Sequence, residues 1–116
     1  MSRERSEAAA MSDMLQAAEA VLRHVAGKSC EDYEREELVR HAVERNIEII
    51  GEAARRLTDE FRRAHPDIPW RAIMATRHIL AHEYDEVDND IVWRIITDHI
   101  PVLPRKMAIS FEPSPS

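Results

Sequence analysis

Residues 39–57 read VRHAVERNIEIIGEAARRL, from Val39 to Leu57, and their spacing decides the fold. Val39, Val43, Asn46, Ile50, Ala53 and Leu57 succeed one another at gaps of 4, 3, 4, 3 and 4. That alternation is the signature of one helix face, and Ala42, Ile47 and Ala54 widen it into a core-facing stripe. Glu44, Glu48 and Glu52 fall on another face. The spacing predicts a helix from the mid-thirties to about Ala64, ended by Pro66.

Moving outward, the same period recurs on both sides. Met14, Ala18, Val21 and Val25 predict a first helix from a Ser12 cap to about Ala26, with Gly27 as a left-handed stop. Residues 1–10 read as a flexible N-terminal extension. Ser29 followed by Asp32 resembles a capping box, with Glu31 and Asp32 suited to the positive helix end. Pro69 can open a further helix, whose apolar side is Ile73, Met74, Leu80 and Ala81. Acidic residues from Glu83 to Asp90 read mostly as a turn and cap for a helix carrying Val92, Ile95, Ile96 and His99. Pro101 and Pro104 break or kink the chain beyond that helix, and residues 110–116 form a tail. The expectation is an all-α domain over residues 11–109, an antiparallel bundle of four to five helices.

Composition agrees and removes several functions. The 116 residues contain two glycines and 5% aromatics, too few turn and β-forming residues for a sandwich or barrel. The lone cysteine, Cys30, rules out a disulfide framework and a Cys-based zinc site, and suits a reducing, cytoplasmic setting. No apolar run is long enough for a membrane span, so no membrane partner is expected. The formal charge is −6, which argues against a protein that coats nucleic acid. Residues 51–80 nevertheless hold six basic and four acidic residues, a local +2 in an otherwise acidic chain. An anionic partner is expected there first.

Arg77-His78-Ile79-Leu80-Ala81-His82-Glu83-Tyr84 ends that basic stretch with a permanent cation, two imidazoles and a phenol. On a regular helix Arg77 and His82 diverge by about 140°. Either the helix ends near His82 or a second copy of the chain completes the site. Arg77-x4-His82-x-Tyr84 resembles the Arg-x4-6-His signature of the HEPN superfamily, in its HepT-like form. Arg45-Asn46-Ile47-Glu48-Ile49-Ile50-Gly51-Glu52-Ala53-Ala54, Pro66-Asp67-Ile68-Pro69-Trp70-Arg71 and Ile91-Val92-Trp93 resemble the same family in the same order.

The resemblance implies a homodimeric, metal-independent ribonuclease without cofactor, the toxin of a two-gene toxin–antitoxin system. Its antitoxin would be a minimal nucleotidyltransferase of the MntA type, silencing the toxin by transferring AMP to Tyr84. The residue chemistry is compatible. RNA carries its own nucleophile, the 2′-hydroxyl, so cleavage needs a base, an acid and a cation. Histidine titrates near neutrality, and arginine offers a planar fork of donors to phosphate oxygens. His82 is expected as general base or acid and Arg77 as phosphate clamp. His78 either orients phosphate or supports a dimer contact, and the resemblance makes Tyr84 the expected AMP acceptor.

Two other readings stand beside this one. The chain could be a catalytically silent helical module that binds a nucleotidyltransferase. Alternatively, His78 and His82 at i, i+4 could belong to a metal-binding bundle. Elsewhere, Asn46 is expected as a polar residue setting register at a helix–helix contact, or with Arg45 as part of the active-site floor. Trp70 and Trp93 are expected as core and interface anchors rather than base-stacking platforms. Arg55, Arg56, Arg62 and Arg63 are expected on a solvated face, some of them guiding RNA or meeting the antitoxin.

Overall fold

A computed structural model describes residues 3–80 and 89–111, with side chains for residues 6–76, 80 and 89–106. Among these the chain is all-α, with seven helical segments: α1 (Arg3–Val25), α2 (Cys30–Arg35), α3 (Glu37–Arg56), α4 (Asp59–Ala64), α5 (Trp70–Leu80), α6 (Asn89–Asp98) and α7 (Val102–Phe111). The excess over the expected four or five comes from α2 and α4, each only six residues long.

α3 is the central helix, packing on α1 along one side and on α5 along another. Its buried face is Val43, Ile47, Ile50, Gly51, Ala53 and Ala54, so the stripe predicted from spacing is present. Its centre shifts, however, from Asn46 to Ile47. Asn46 is half-buried and donates its side-chain amide to the Ala42 carbonyl of its own helix at 2.8 Å. A buried amide needs such a partner, and here the helix itself supplies it, with no cross-helix contact needed.

α1 and α3 are antiparallel. Asp13 meets Arg56 and Glu7 accepts from the Thr58 hydroxyl, so positions fall along one chain segment as they rise along the other. α1 starts at Arg3, well before the expected Ser12 cap, and residues 3–10 are helical rather than a frayed extension. The reason is packing: Ala10 and Met11 are buried with Met14, Ala18 and Val21. Ala10 is buried while Ala8 and Ala9 are exposed, so a single small residue before Met11 carries the packing and leaves no apolar period to read. Ser12 lies inside the helix, where its hydroxyl accepts from Gln16.

α1 gives way to Gly27 at φ 73°, the left-handed stop expected. The capping box opens α2: Ser29 Oγ accepts from the Asp32 amide at 3.1 Å and Asp32 accepts from the Ser29 amide at 3.0 Å.

The long helix expected to reach Ala64 ends instead at Arg56. Leu57 and Thr58 are extended, and Thr58 Oγ1 accepts from the Phe61 amide at 3.0 Å as the cap of α4. A threonine followed by Asp59 and Glu60 is a helix-start signal, and it overrides the continuing apolar period.

At the C-terminal end the two prolines act differently. Pro101 separates α6 from α7, whereas Pro104 sits in the first turn of α7, where no intrahelical donor is lost. Leu103 is fully buried, and α7 packs on α1. No helix among the described residues is long and apolar enough to cross a membrane.

Candidate active site

α5 is the element that presents the motif arginine. Trp70 begins it, nearly buried, with its indole N–H donating to the His65 carbonyl at 2.9 Å. The Pro69 carbonyl accepts from the Ile73 amide at 3.0 Å, so the proline immediately precedes the helix and opens its ladder. Ile73 and Thr76 are buried, and the Thr76 hydroxyl donates to the Ala72 carbonyl at 2.8 Å. This hydroxyl is thereby satisfied within its own helix, leaving the residue free to pack like valine. Met74 and Leu80 pack against the same core from its edge. Indole anchor, isoleucine and threonine fix the rotation of α5 up to the residue before Arg77.

Arg77 and His78 belong to the last turns of α5, and their side chains lie outside the described residues. His82 and Tyr84 also lie outside them, as does the acidic run from Glu83 to Asp88. Beyond that run, α6 begins at Asn89, and its Val92, Ile95 and Ile96 are buried as expected. Trp93 packs at the core edge against Tyr33, ring centroids 5.7 Å apart. Both tryptophans are therefore scaffold residues, as the sequence suggests.

The four arginines expected on a solvated face separate into two kinds. Arg62 donates to the Ala54 and Leu57 carbonyls at 2.9 and 2.8 Å and pairs with Asp59, with a side chain only 19% exposed. It binds the end of α3 to α4. Arg56 pairs with Asp13 at 2.6 Å and ties α3 to α1. Arg55 and Arg63 are exposed, as is Arg71 near the start of α5. Arg45 is exposed too, with Glu48 at 3.7 Å.

Two features had no sequence signal. Asp13, Gln16, Ala17, Ala20, Arg23, Asn46 and Ile49 line an open groove of about 370 Å³ between α1 and α3. Cys30 Sγ lies 3.6 Å from Asp90 Oδ1, sixty residues away in sequence, and Glu34 completes a group with donor atoms within 4.8 Å of one another. Burial and the bond to Asp90 push the Cys30 thiol up, with Glu34 adding to the effect. The thiol stays protonated at neutral pH and is a poor nucleophile.

Comparison with known proteins places these elements. The family model for HepT-like ribonucleases matches residues 14–108, spanning the core of α1 through most of α7. "Putative RNase MJ1380" of Methanocaldococcus jannaschii is 31% identical over 97 residues, covering 84% of this chain and 89% of that protein. "Putative RNase TTE0752" of Caldanaerobacter subterraneus subsp. tengcongensis is 38% identical over 94 residues, covering 81% and 84%. "Probable ribonuclease HepT" of Thermococcus cleftensis is 40% identical over 76 residues, covering 66% and 69%. No solved structure matches the chain. The matched span includes Arg77-x4-His82-x-Tyr84 as well as the central α3 stripe, and on these grounds the chain belongs to the HepT-like ribonuclease family of HEPN proteins.

Proposed function

We propose that the protein is a metal-independent endoribonuclease, acting as a homodimer and serving as the toxin of a toxin–antitoxin pair. The observation that carries this reading is the family match across residues 14–108, which contains the arginine–histidine motif. The rotation of α5, fixed by Trp70, Ile73 and Thr76, supports Arg77 as a positioned residue. In the proposed reaction His82 accepts the proton of the RNA 2′-hydroxyl, whose oxygen attacks the adjacent phosphorus. Arg77 donates to the phosphoryl oxygens and offsets charge that builds in the transition state. A second imidazole, from the partner copy, protonates the departing 5′-oxygen. The products are a 2′,3′-cyclic phosphate and a 5′-hydroxyl end. His78 is assigned to orienting the phosphate.

Regulation uses the same segment. A nucleotidyltransferase antitoxin transfers AMP from ATP to the Tyr84 hydroxyl, releasing pyrophosphate. The added group brings bulk and negative charge close in sequence to Arg77, where it competes with substrate phosphate. Arg77→Ala and His82→Ala test the catalytic half: each is expected to abolish RNA cleavage and growth arrest while the protein stays folded. Retained cleavage by both variants removes the assignment. Incubation with the antitoxin and ATP is expected to add AMP mass at Tyr84; addition elsewhere, or none, removes the regulatory half.

A further inference from the structure

The basic stretch of residues 51–80 does not act as a single surface. Arg56 and Arg62 are engaged in holding helices together, whereas Arg55, Arg63 and Arg71 are exposed, with no partner for the guanidinium among the described residues. These three belong to one corner of the fold. Arg55 comes directly after Ala54, whose carbonyl accepts from Arg62. Arg63 is next to Arg62 and lies two residues before His65, whose carbonyl accepts from the Trp70 indole, and Arg71 is next to Trp70. One of these hydrogen bonds joins the immediate neighbours of Arg55 and Arg63, and the other joins the neighbour of Arg71 to His65, two residues beyond Arg63.

Two carboxylates of the corner are engaged by other cations, Asp59 by Arg62 and Asp67 by Lys106 at 3.5 Å. Arg71 precedes Arg77 by six residues on α5, a rise of about 9 Å and a net rotation of about 120°. The rest of the chain, at −8 outside residues 51–80, repels a polyanion, which leaves this corner as the place to receive one. Planar guanidinium forks suit phosphate oxygens better than they suit isolated carboxylates in water.

We propose that Arg55, Arg63 and Arg71 form a phosphate-binding track that holds RNA flanking the bond cleaved at Arg77. The track rests on the ribonuclease reading for its role, though its affinity for RNA can be measured without cleavage. The test compares the wild type with R55Q/R63Q/R71Q, using Arg23→Gln, an exposed arginine on α1, as a control for net charge. Binding of an uncleavable single-stranded 2′-O-methyl RNA is followed by fluorescence anisotropy across a salt series, and cleavage of the matching RNA by initial rates.

Loss of three phosphate contacts should lower the slope of log K against log salt by about 2, at ~0.7 per contact for single strands. KM should rise about tenfold or more, with kcat within about twofold and the melting temperature retained, since all three side chains are exposed. Arg23→Gln should leave the slope near that of the wild type. An unchanged slope and KM in the triple variant overturns the track, as does a variant that loses only affinity for the antitoxin. If the wild type cleaves no RNA, the ribonuclease reading fails, and the anisotropy slope still decides whether these arginines bind phosphate.

Discussion

Arg62→Ala separates an arginine that holds the fold from those proposed to meet RNA. The Arg62 guanidinium makes two hydrogen bonds to backbone carbonyls, Ala54 at 2.9 Å and Leu57 at 2.8 Å, and its side chain is 19% exposed. A hydrogen bond with a charged partner contributes about 1.5–3 kcal/mol, less where water can replace it. The pair with Asp59 adds at most about 1 kcal/mol, because the carboxylate side is 76% exposed. Alanine is a slightly better helix former than arginine, returning a few tenths of a kcal/mol. The expected net loss is about 2–3 kcal/mol, a large fraction of the ~5–15 kcal/mol of a typical domain. For a chain of this size that lowers the melting temperature by about 8–12 °C. Urea unfolding of the variant beside Arg63→Ala gives the comparison, since Arg63 is exposed and should change stability by less than about 0.5 kcal/mol. Equal stability of the two variants, or a loss under about 0.5 kcal/mol for Arg62→Ala, refutes the structural role.

Other perturbations have equally definite signs. Tyr33 is fully buried, and its hydroxyl has no hydrogen-bond partner among the described residues. Burial, reinforced by Glu44, holds the phenol well above its ordinary value. Tyr33→Phe should therefore stabilise the protein by about 1 kcal/mol in urea unfolding, and a comparable destabilisation would reveal a partner for the hydroxyl. Thr58→Ala removes the α4 cap and should cost about 1 kcal/mol, whereas Thr58→Asn should retain most of it. The Ser29 amide, its hydroxyl and Arg35 hold the Asp32 carboxyl below its ordinary value. A depressed carboxyl contributes stability that is present above the unfolded pKa of about 3.9 and is lost as pH falls through the lower folded value. Asp32→Asn should flatten that part of the acid-unfolding curve, and an unchanged curve would show that the capping box does not form. Ile47→Ala, at the centre of the α3 stripe, should cost about 2–5 kcal/mol, and a loss under about 1 kcal/mol would move the core elsewhere.

The residues make some parts of this fold legible and conceal others for physical reasons. The α3 stripe, the Gly27 stop and the Ser29–Asp32 box carry their own periods or donor patterns, and all three recur in the structure. The early start of α1 is hidden because only Ala10 is buried ahead of Met11, too little to mark an apolar face. The break at Leu57 is hidden because the apolar period runs through it, and only the Thr58 cap with its following acids reveals the stop. No local pattern could indicate that Arg62 caps the end of another helix while Arg63 next to it faces solvent. Cys30 and Asp90 meet across sixty residues, and nothing in either neighbourhood announces it. For the candidate site the balance is different. Arg77, His82 and Tyr84 stand out through their spacing and family pattern. The structure adds the anchoring of α5 up to Thr76.

The ribonuclease proposal requires that RNA be cut through its own 2′-hydroxyl, with Arg77 and His82 acting on it. The most direct measurement is end-group analysis of a single-stranded RNA incubated with purified protein in excess EDTA, beside the same strand carrying a 2′-deoxy nucleotide at the cleavage position. The predicted result is a 2′,3′-cyclic phosphate and a 5′-hydroxyl from the first strand, no cut at the substituted position, and no product from His82→Ala. Cleavage at the deoxy position, 5′-phosphate products, or full activity of His82→Ala would contradict it.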